Sequence, residues 1–432
     1  MRSPLFNVLP VVLSVILLVH APASGRAETP PVITLEAAIE MATRNNLNYQ
    51  AARAQKEISQ AQITTAKARL NPMLVSDNGI AEKTYRLGLQ QTLELGGKRK
   101  KRIAVAETQN QITETTTKAR FLELRTGVRK AYTELYTAME RQKAYEDIVE
   151  TTQRLLSIAQ KRETMGDIPK VDVLGAQIAF ANSKNDHQTA FYQVVSARNQ
   201  LSALLFQPLT PEQLLAAPPS FAQEALLTVP PPKAGQPLQA SLTESALNLS
   251  LLIEQALKIR PELQENRLNE VLTRQRLALA KSNRIPNLNL SAGPDLVAEP
   301  GQRRLNVYVI GALDIPVFNR QQGPIEEESA RQRQLQLTQQ ALRNQITYEV
   351  INAHTAFIAS QQRLKRYETE LLPDAERIVK LAQLSFREGK SSILTPINAQ
   401  QAFINTRLGY MQAIRDHQDA ISDLEKAIGT GL

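Results

Sequence analysis

The sequence predicts a mainly α-helical protein with a small β part, built as two copies of one structural unit. Short blocks recur in the same order in both halves of the 432 residues, which indicates an internal duplication. Ala, Gln, Leu, Arg and Glu dominate the middle of each half, a composition typical of long helices. Each half also contains one run of alternating polar and apolar residues, the pattern of a strand with one apolar face.

The first predicted element is a signal peptide at residues 1–27. Arg2 provides its positive charge, residues 5–19 are largely apolar, and small residues follow as cleavage candidates. The alternative is an uncleaved membrane anchor. The chain contains no cysteine, so we expect neither disulfide bonds nor a lipid-bearing cysteine. After residue 27 no apolar run has the length of a membrane-spanning helix, so we expect any membrane crossing to be made by strands.

The duplication defines the predicted domain boundaries. We assign the first repeat to residues 28–206 and the second repeat to residues 248–432. Between them, residues 207–247 hold eight of the 23 prolines, which predicts an extended linker. The matching blocks begin at Ile39 and Ile253, Ala66 and Ala280, Pro72 and Pro286, Leu93 and Leu313, and Gly166 and Gly389.

Each repeat is predicted to begin with one long helix. The two helices cover residues 35–70, where Thr34 can cap the start, and residues 249–284. Asn71-Pro72 and Ile285-Pro286 are expected to end them, because a residue that precedes proline disfavours helical backbone.

A strand pair follows in each repeat, at residues 72–95 and 286–315. In the second strand of each pair, apolar residues alternate over about 11 residues, which is the length a tilted strand needs to cross a bilayer. We expect the first strands to turn at Asn78-Gly79 and Gly293-Pro294. The alternative is a soluble hairpin packed on the helices. The residues predicted to contact lipid are Leu87, Leu89, Leu93, Val307, Val309 and Leu313.

Four strands per chain cannot close a membrane barrel. An open sheet edge in lipid leaves backbone groups unpaired, and the smallest bacterial barrels have about eight strands. Several chains would therefore have to share one barrel. Two chains would give about eight strands and three chains would give about twelve.

Long helical segments are predicted to complete each repeat, at residues 98–206 and 319–432. Their apolar residues recur at alternating spacings of three and four, which is the spacing of a coiled coil. Gly166 and Gly389 are predicted to mark the points where these segments reverse. Pro373 predicts a local break that the first repeat lacks.

A block of basic residues follows the alternating strand of the first repeat. Gly96 and Gly97 allow a sharp turn, and five cations occupy residues 98–102. We interpret Gly96, Gly97, Lys98 and Arg99 as the membrane boundary, where cations can meet anionic head groups. The block is poorly placed for a helix start, since the N-terminal end of the helix dipole disfavours cations. An idle solvated face and nucleic-acid binding are the alternatives, and predicted export argues against nucleic acid.

Together these motifs resemble the TolC-like outer-membrane efflux channels, over nearly all of the chain after residue 27. LELGGKR and PVFNRQQG look most like the heavy-metal efflux (CzcC-like) branch. The resemblance is carried by MATRNNLNYQAARAQ from Met41, ARLNP from Ala68, QTLELGGKRKKR from Gln91, MGDIPKVDVLGAQ from Met165, LDIPVFNRQQG from Leu313 and LLPDAE from Leu371.

This resemblance implies a homotrimer with a twelve-stranded transmembrane β-barrel in the outer membrane. Most of each chain would lie in the periplasm, where long coiled-coil hairpins form a tunnel. A periplasmic adaptor protein and an inner-membrane efflux pump, of the RND type in this branch, would be the partners. Many relatives carry a lipidated cysteine, which this chain lacks.

The resemblance also implies that the two helix reversals form the periplasmic tip, where the tunnel narrows and the adaptor docks. Carboxylates there would be repeated around a threefold axis and could be held by neighbouring cations. Ordinary solvated charge is the alternative. The candidate tip and gate residues are Arg162, Glu163, Gly166, Asp167, Pro169, Asp172, Arg387, Glu388, Gly389 and Lys390.

No catalytic motif is recognisable in the sequence. His187, His354 and His417 are far apart, and neither a phosphate-binding glycine loop nor a zinc-protease motif occurs. We therefore expect no enzymatic activity, no cofactor and no resident metal. The predicted function is a passive exit duct for metal cations in a tripartite efflux pump. The alternatives are a drug or secretion duct of the same fold, or an exported structural coiled-coil protein of the envelope.

Overall fold

The computed structural model describes residues 32–79, 84–210, 238–299 and 302–429. The predicted signal peptide and most of the predicted linker lie outside these residues. A π-helical turn lies at Tyr367–Leu371. In chain order the elements are α1 (Leu35–Asn45), α2 (Leu47–Lys67), β1 (Met73–Gly79), β2 (Thr84–Leu93), α3 (Lys98–Thr164), α4 (Lys170–Leu205), α5 (Leu238–Ile259), α6 (Pro261–Ser282), β3 (Leu288–Glu299), β4 (Gln302–Leu313), α7 (Gln322–Arg366), α8 (Leu372–Arg387) and α9 (Leu394–Ile428).

The first helix of each repeat is broken, so the prediction of a single helix is wrong in both. Thr34 caps α1 as expected, accepting a 3.2 Å hydrogen bond from the Ala37 N–H. The break between α1 and α2 falls at Asn46, and the break between α5 and α6 falls at Arg260. The predicted linker also ends too late. Helix α5 starts at Leu238, because helix-forming sequence directly follows Pro237, the last proline of the run.

The two break residues are equivalent in the duplication and cap equivalent helix ends. The Asn46 amide accepts a hydrogen bond from the Tyr49 N–H and donates one to the carbonyl of Leu204, in the last turn of α4, both at 3.0 Å. The Arg260 guanidinium donates to the carbonyls of Lys426 and Ala427, in the last turn of α9, both at 3.1 Å. Each break residue thereby pairs carbonyls that a helix end leaves without partners.

Arg260 differs from Asn46 in carrying a charge, and two carboxylates neutralise it. Glu262 binds the guanidinium through both oxygens at 3.0 Å, and Glu349 binds it at 2.8 Å. Arg260 and Asn46 are each only 5% exposed. Their side chains are therefore buried with every requirement for hydrogen bonding met from within their own repeat.

The long helices pack across the two repeats. Helix α3 contacts α4 in its own repeat and α9 in the other. Tyr132 lies in the apolar core that α3 forms with α1 and α4 of its own repeat, where burial raises its pKa and its hydroxyl donates to the Ile33 carbonyl at 2.8 Å. Ion pairs join α3 and α9 across the repeats: Arg129 with Glu425, Lys130 with Asp423, Glu134 with Arg415, and Asp147 with Arg407.

The predicted break near Pro373 takes the form of the π-helical turn. Proline has no N–H to donate, so the backbone before it cannot keep the regular hydrogen-bond ladder. The Leu372 N–H donates instead to the Tyr367 carbonyl, five residues earlier. In the first repeat α3 runs unbroken through Glu150, the corresponding position.

The four strands form one antiparallel sheet in the order β1-β2-β3-β4. Both predicted turns are wrong. Pairing continues to Gly79↔Thr84 in the first hairpin and through Pro294↔Val307 to Glu299↔Gln302 in the second, so the reversals lie beyond the described residues. The pairing of β2 with β3 lapses opposite Gly293-Pro294, where proline has no N–H to offer the ladder. Turn-forming residues here interrupt one ladder without ending the strand.

We predict that removing the Arg260 side chain destabilises the protein more than removing that of Asn46. Within the described residues, Arg260→Ala leaves the Ala427 carbonyl and the Glu262 carboxylate without their donor. It also removes one of two donors from the Lys426 carbonyl and from Glu349, and the total should cost about 2–3 kcal/mol. Asn46→Ala removes a helix cap and should cost about 1 kcal/mol. The measurement is guanidinium-induced loss of helical circular dichroism in detergent. Arg53→Ala removes an exposed arginine on α2 that has no ion pair or side-chain hydrogen bond within the described residues, and it is the control. Equal midpoints for Arg260→Ala and the control would contradict the capping role.

Candidate functional site

One face of the sheet is apolar and uncovered. All six residues predicted to contact lipid lie on it, and each is between 42% and 80% exposed. The strand register aligns Leu74, Leu89, Ala292 and Val309 in one row across this face. No strand makes extensive contacts with a helix among the described residues, which argues against a hairpin packed on the helices. A continuous apolar surface of this kind marks contact with an apolar medium or a partner.

The opposite face of the sheet is polar. Asp77, Arg86, Asp295 and Asn306 form one row in the register, in which the Arg86 guanidinium lies 3.7 Å from Asp77 and 3.4 Å from Asp295. Further along this face, the Thr92 hydroxyl donates to the side-chain oxygen of Asn289 at 2.7 Å. The sheet therefore separates an apolar side from a hydrogen-bonded, charged side.

Two glycines in the middle of the polar face permit close approaches. A Cβ on Gly88 would collide with the Tyr308 hydroxyl, and a Cβ on Gly293 would collide with the backbone carbonyl of Leu87 on the neighbouring strand. The central carbon of the Arg86 guanidinium also lies 5.9 Å from the ring centre of Tyr308. Sequence reasoning missed this arrangement, although a glycine inside an alternating strand is a signal for close approach of another group.

The residues predicted as the membrane boundary form the junction of β2 with α3. Gly96 and Gly97 have φ values of 72° and 70°, the left-handed region that glycine adopts without strain. Lys98 is buried and donates to the Asn287 side-chain oxygen at 2.6 Å. Burial lowers the pKa of Lys98, an effect that the Glu94 carboxylate opposes.

The basic block also has a structural role that the sequence did not predict. Arg99 donates twice to the Lys67 carbonyl at the end of α2, at 2.9 and 2.7 Å. Arg102 donates to the carbonyls of Ala66 and Ala68 and pairs with Glu94. The block stands at the start of α3, but these arginines serve the negative end of the dipole of α2.

The two helix reversals of the chain meet at one place. Gly166 and Gly389 both end a helix in the left-handed conformation, with φ values of 81° and 73°. Arg162, just before the first reversal, donates to the Phe386 carbonyl just before the second at 3.2 Å. Its guanidinium lies 4.8 Å from the Phe386 ring centre and 3.9 Å from the Asp167 carboxylate. Arg162 therefore links the two reversals.

The other predicted tip residues make fewer contacts. Lys390 pairs with Glu388 within its own turn at 2.7 Å, and Pro169 precedes the first residue of α4. Within the described residues, the side chains of Glu163, Asp172 and Arg387 form no ion pair or hydrogen bond. Arg162 and Arg387 differ in their contacts, because within the described residues Arg162 reaches the other turn and Arg387 does not. A small apolar cluster missed by sequence reasoning holds the turns together: Ala159, Val173, Ala176, Phe386 and Ile393.

No helix in the described part of the chain is both long and apolar enough to cross a membrane. No group of three or more His, Cys, Asp or Glu side chains in the same residues is arranged to hold a metal ion.

Comparison with known proteins decides the family. Residues 38–205 and 252–430 match the sequence pattern of the family described as outer membrane efflux protein. The chain belongs to this family. The two matched segments fall in the two predicted repeats, and the predicted resemblance is confirmed.

Relatives of this chain share its length and fold. The cobalt-zinc-cadmium resistance protein CzcC of Cupriavidus metallidurans is 27% identical over 404 residues, which cover 92% of this chain and 90% of CzcC. The crystal structure of CusC matches with a TM-score of 0.72 at 17% identity, covering 96% of each chain. The CmeC outer membrane channel of Campylobacter jejuni matches with a TM-score of 0.70 at 15% identity, covering 99% of this chain and 94% of CmeC. These two structural matches show the fold.

We predict that Arg162→Gln raises single-channel conductance in planar bilayers, if the reversals form the constriction that the resemblance implies. An exposed ion pair contributes only about 0–1 kcal/mol. Arg162 adds a carbonyl hydrogen bond and a ring contact between the two turns, so its loss should loosen them more than loss of one pair.

Arg387→Gln is the matched control, because Arg387 lies in the second turn and is exposed without an ion pair in the described residues. Its conductance should match that of the unmodified protein. Equal conductance for both variants, with the assembled channel intact, would count against these turns as the constriction.

Proposed function

We propose that three copies of this chain form the outer-membrane exit duct of a tripartite pump that exports metal cations. The observation that carries this proposal is the sheet, which combines an exposed apolar face, a polar opposite face and two unpaired edges. A barrel made from such sheets would place the apolar face in lipid and the polar face along a water-filled pore. The duct makes and breaks no bonds, and the inner-membrane pump supplies the energy.

The duplication indicates how the sheets join. Inside one chain the two repeats meet where β2 of the first pairs with β3 of the second. Strand β4 corresponds to β2, and β1 corresponds to β3, so β4 of one chain can pair with β1 of the next in the same way. Repetition of one head-to-tail contact closes into a ring. The family resemblance favours a ring of three chains over a ring of two.

The burial of residues on the helices supports the same head-to-tail contact between chains. Inside one chain α3 of the first repeat packs against α6 of the second, where Thr115 and Leu272 are 9% and 3% exposed. Their counterparts in the other repeat are Leu337 on α7 and Ile58 on α2, which are 68% and 52% exposed. Equivalent positions are therefore buried where the repeats meet and uncovered at the two free sides. Contact of α7 with α2 of a neighbouring chain would cover both.

The metal cargo rests on the relative and on the branch motifs. CzcC is named for resistance to cobalt, zinc and cadmium, and it is similar to this chain over 92% of its residues. LELGGKR and PVFNRQQG also resemble the heavy-metal branch. We propose a periplasmic adaptor at the tip formed by the two helix reversals, with an inner-membrane pump of the RND type beyond it.

We expect that disrupting the gene in its host lowers tolerance to cobalt, zinc or cadmium, and that the unmodified gene restores it. Leu89→Arg with Val309→Arg should fail to restore tolerance, since arginine at mid-membrane costs about 2–4 kcal/mol per site. Leu251→Arg on α5, where Leu251 is 62% exposed, is the control and should restore tolerance. Normal outer-membrane assembly of the double arginine variant would contradict the spanning strands. Unchanged metal tolerance with altered drug tolerance would favour a drug duct.

We predict that a cysteine pair on the free helix sides links neighbouring chains. The native chain has no cysteine, so Ile58→Cys with Leu337→Cys introduces the only thiols. A short bis-maleimide added to membranes should give covalent species of up to three chains on denaturing gels. Each single cysteine variant is a control and should remain a single chain. Absence of cross-linked species from membranes that contain the protein would contradict the proposed contact of α7 with α2.

A further inference from the structure

Positive charge is concentrated where the sheet joins the helices. We define the collar as residues 66–70, 94–102, 274–287 and 314–320, which adjoin the helix-side ends of the strands. These residues contain twelve Lys and Arg and only two carboxylates, Glu94 and Asp314, in a chain whose whole net charge is +9. Self-repulsion within such a cluster opposes folding unless anions accompany it.

Some collar cations have partners inside the chain. Arg99 and Arg102 bind the end of α2, Lys98 binds Asn287, and Arg284 donates to the Arg320 carbonyl at 2.8 Å. Others do not. Within the described residues, Arg69 and Arg276 make no ion pair and no side-chain hydrogen bond. Arg276 is nevertheless half-buried, a position in which an unpaired guanidinium favours a counter-anion.

The two unpaired arginines line the same cleft. This cleft lies between α2, α3 and α6 and has a volume of about 670 Å³. Arg102 completes its cationic lining, and Gln62 and Gln109 add amide groups. Its remaining lining includes the apolar residues Ala66, Leu70, Val105 and Ala106. The cleft thus combines guanidinium groups with an apolar wall. Arg102 in its lining pairs with Glu94, which directly follows Leu93, the last residue of β2.

We propose that this cleft binds the phosphate of an anionic phospholipid, with part of an acyl chain against the apolar wall. The planar guanidinium suits a phosphate, which it can bind through two parallel hydrogen bonds. A free phosphate would use the arginines and leave the apolar wall exposed to water, so the lining favours a phospholipid. This inference rests on the proposed function, because only a chain inserted in the outer membrane has such lipid beside the collar.

The test is native mass spectrometry of the full-length protein purified in detergent. Palmitoyl-oleoyl phosphatidylglycerol, its phosphatidylcholine counterpart and inorganic phosphate are added in separate samples. We expect phosphatidylglycerol to be retained several-fold more than phosphatidylcholine. Arg69→Gln with Arg276→Gln should lower the retained phosphatidylglycerol several-fold. The control, Arg53→Gln with Arg343→Gln, removes two exposed arginines that also lack ion pairs in the described residues and should leave retention unchanged.

Three outcomes would overturn the inference: equal retention of the two lipids, unchanged retention in the Arg69 and Arg276 variant, or occupancy by inorganic phosphate that excludes the lipid. The same spectra report the number of chains, and bilayer recordings report conduction. A variant that assembles and conducts normally but loses phosphatidylglycerol supports the lipid site. An unmodified protein that neither assembles nor conducts contradicts the proposed function. Its retention of phosphatidylglycerol relative to phosphatidylcholine still tests the lipid site.

Discussion

The hydrogen-bonding requirement of the two edge strands is the constraint on which the rest of this structure depends. Among the described residues, strands β1 and β4 are each paired on one side only, and one face of the sheet is apolar. Water could satisfy the edges but would expose the apolar face. Lipid suits the face but leaves the edges unpaired, at a cost of about 2–7 kcal/mol for each backbone group without a hydrogen bond. Further copies of the sheet would satisfy both demands, and the pairing of β2 with β3 between the two repeats is the kind of joint that would add them.

The helices meet the same requirement by a different route. A helix end leaves carbonyls without donors, and in each repeat the donor comes from the residue that breaks the first helix. Asn46 performs this with a neutral amide, while Arg260 performs it with a charged group that Glu262 and Glu349 neutralise. In each repeat the residue that breaks the first helix is therefore also the residue that caps the last helix. Each repeat thus joins its first helix to its last through contacts that lie within that repeat.

Features that follow from local periodicity could be predicted from the sequence. The duplication, the alternating strands, the long helices and the glycine reversals all leave such a pattern. The break at Asn46 leaves none, since a lone asparagine is tolerated inside a helix and its partner, the Leu204 carbonyl, is far along the chain. Asn78-Gly79 and Gly293-Pro294 were misleading because residues that permit turns also permit bends within strands. The role of Arg162 depends on Phe386 in the other repeat, which no local pattern shows.

The distribution of charge indicates which joints stay fixed if the duct opens. Inside one chain, α3 and α9 are held by ion pairs, among them Lys130 with Asp423 and Glu134 with Arg415. By the duplication, the corresponding positions on the free faces of α7 and α4 are Asn352, Gln200, Ala356 and Tyr192, all uncharged.

In the proposed trimer these two contacts within a chain are therefore charged, and the equivalent contacts between chains are not. The counterpart of Arg407, which pairs with Asp147 inside one chain, is the charged Lys184. Arg162 adds a further link within the chain at the tip. An ion pair between two helices favours one alignment of the helices along their axes over shifted alignments. Two helices therefore slide past each other more easily where such pairs are absent. Each chain would then move as one body, and the tip would widen by rearrangement between chains.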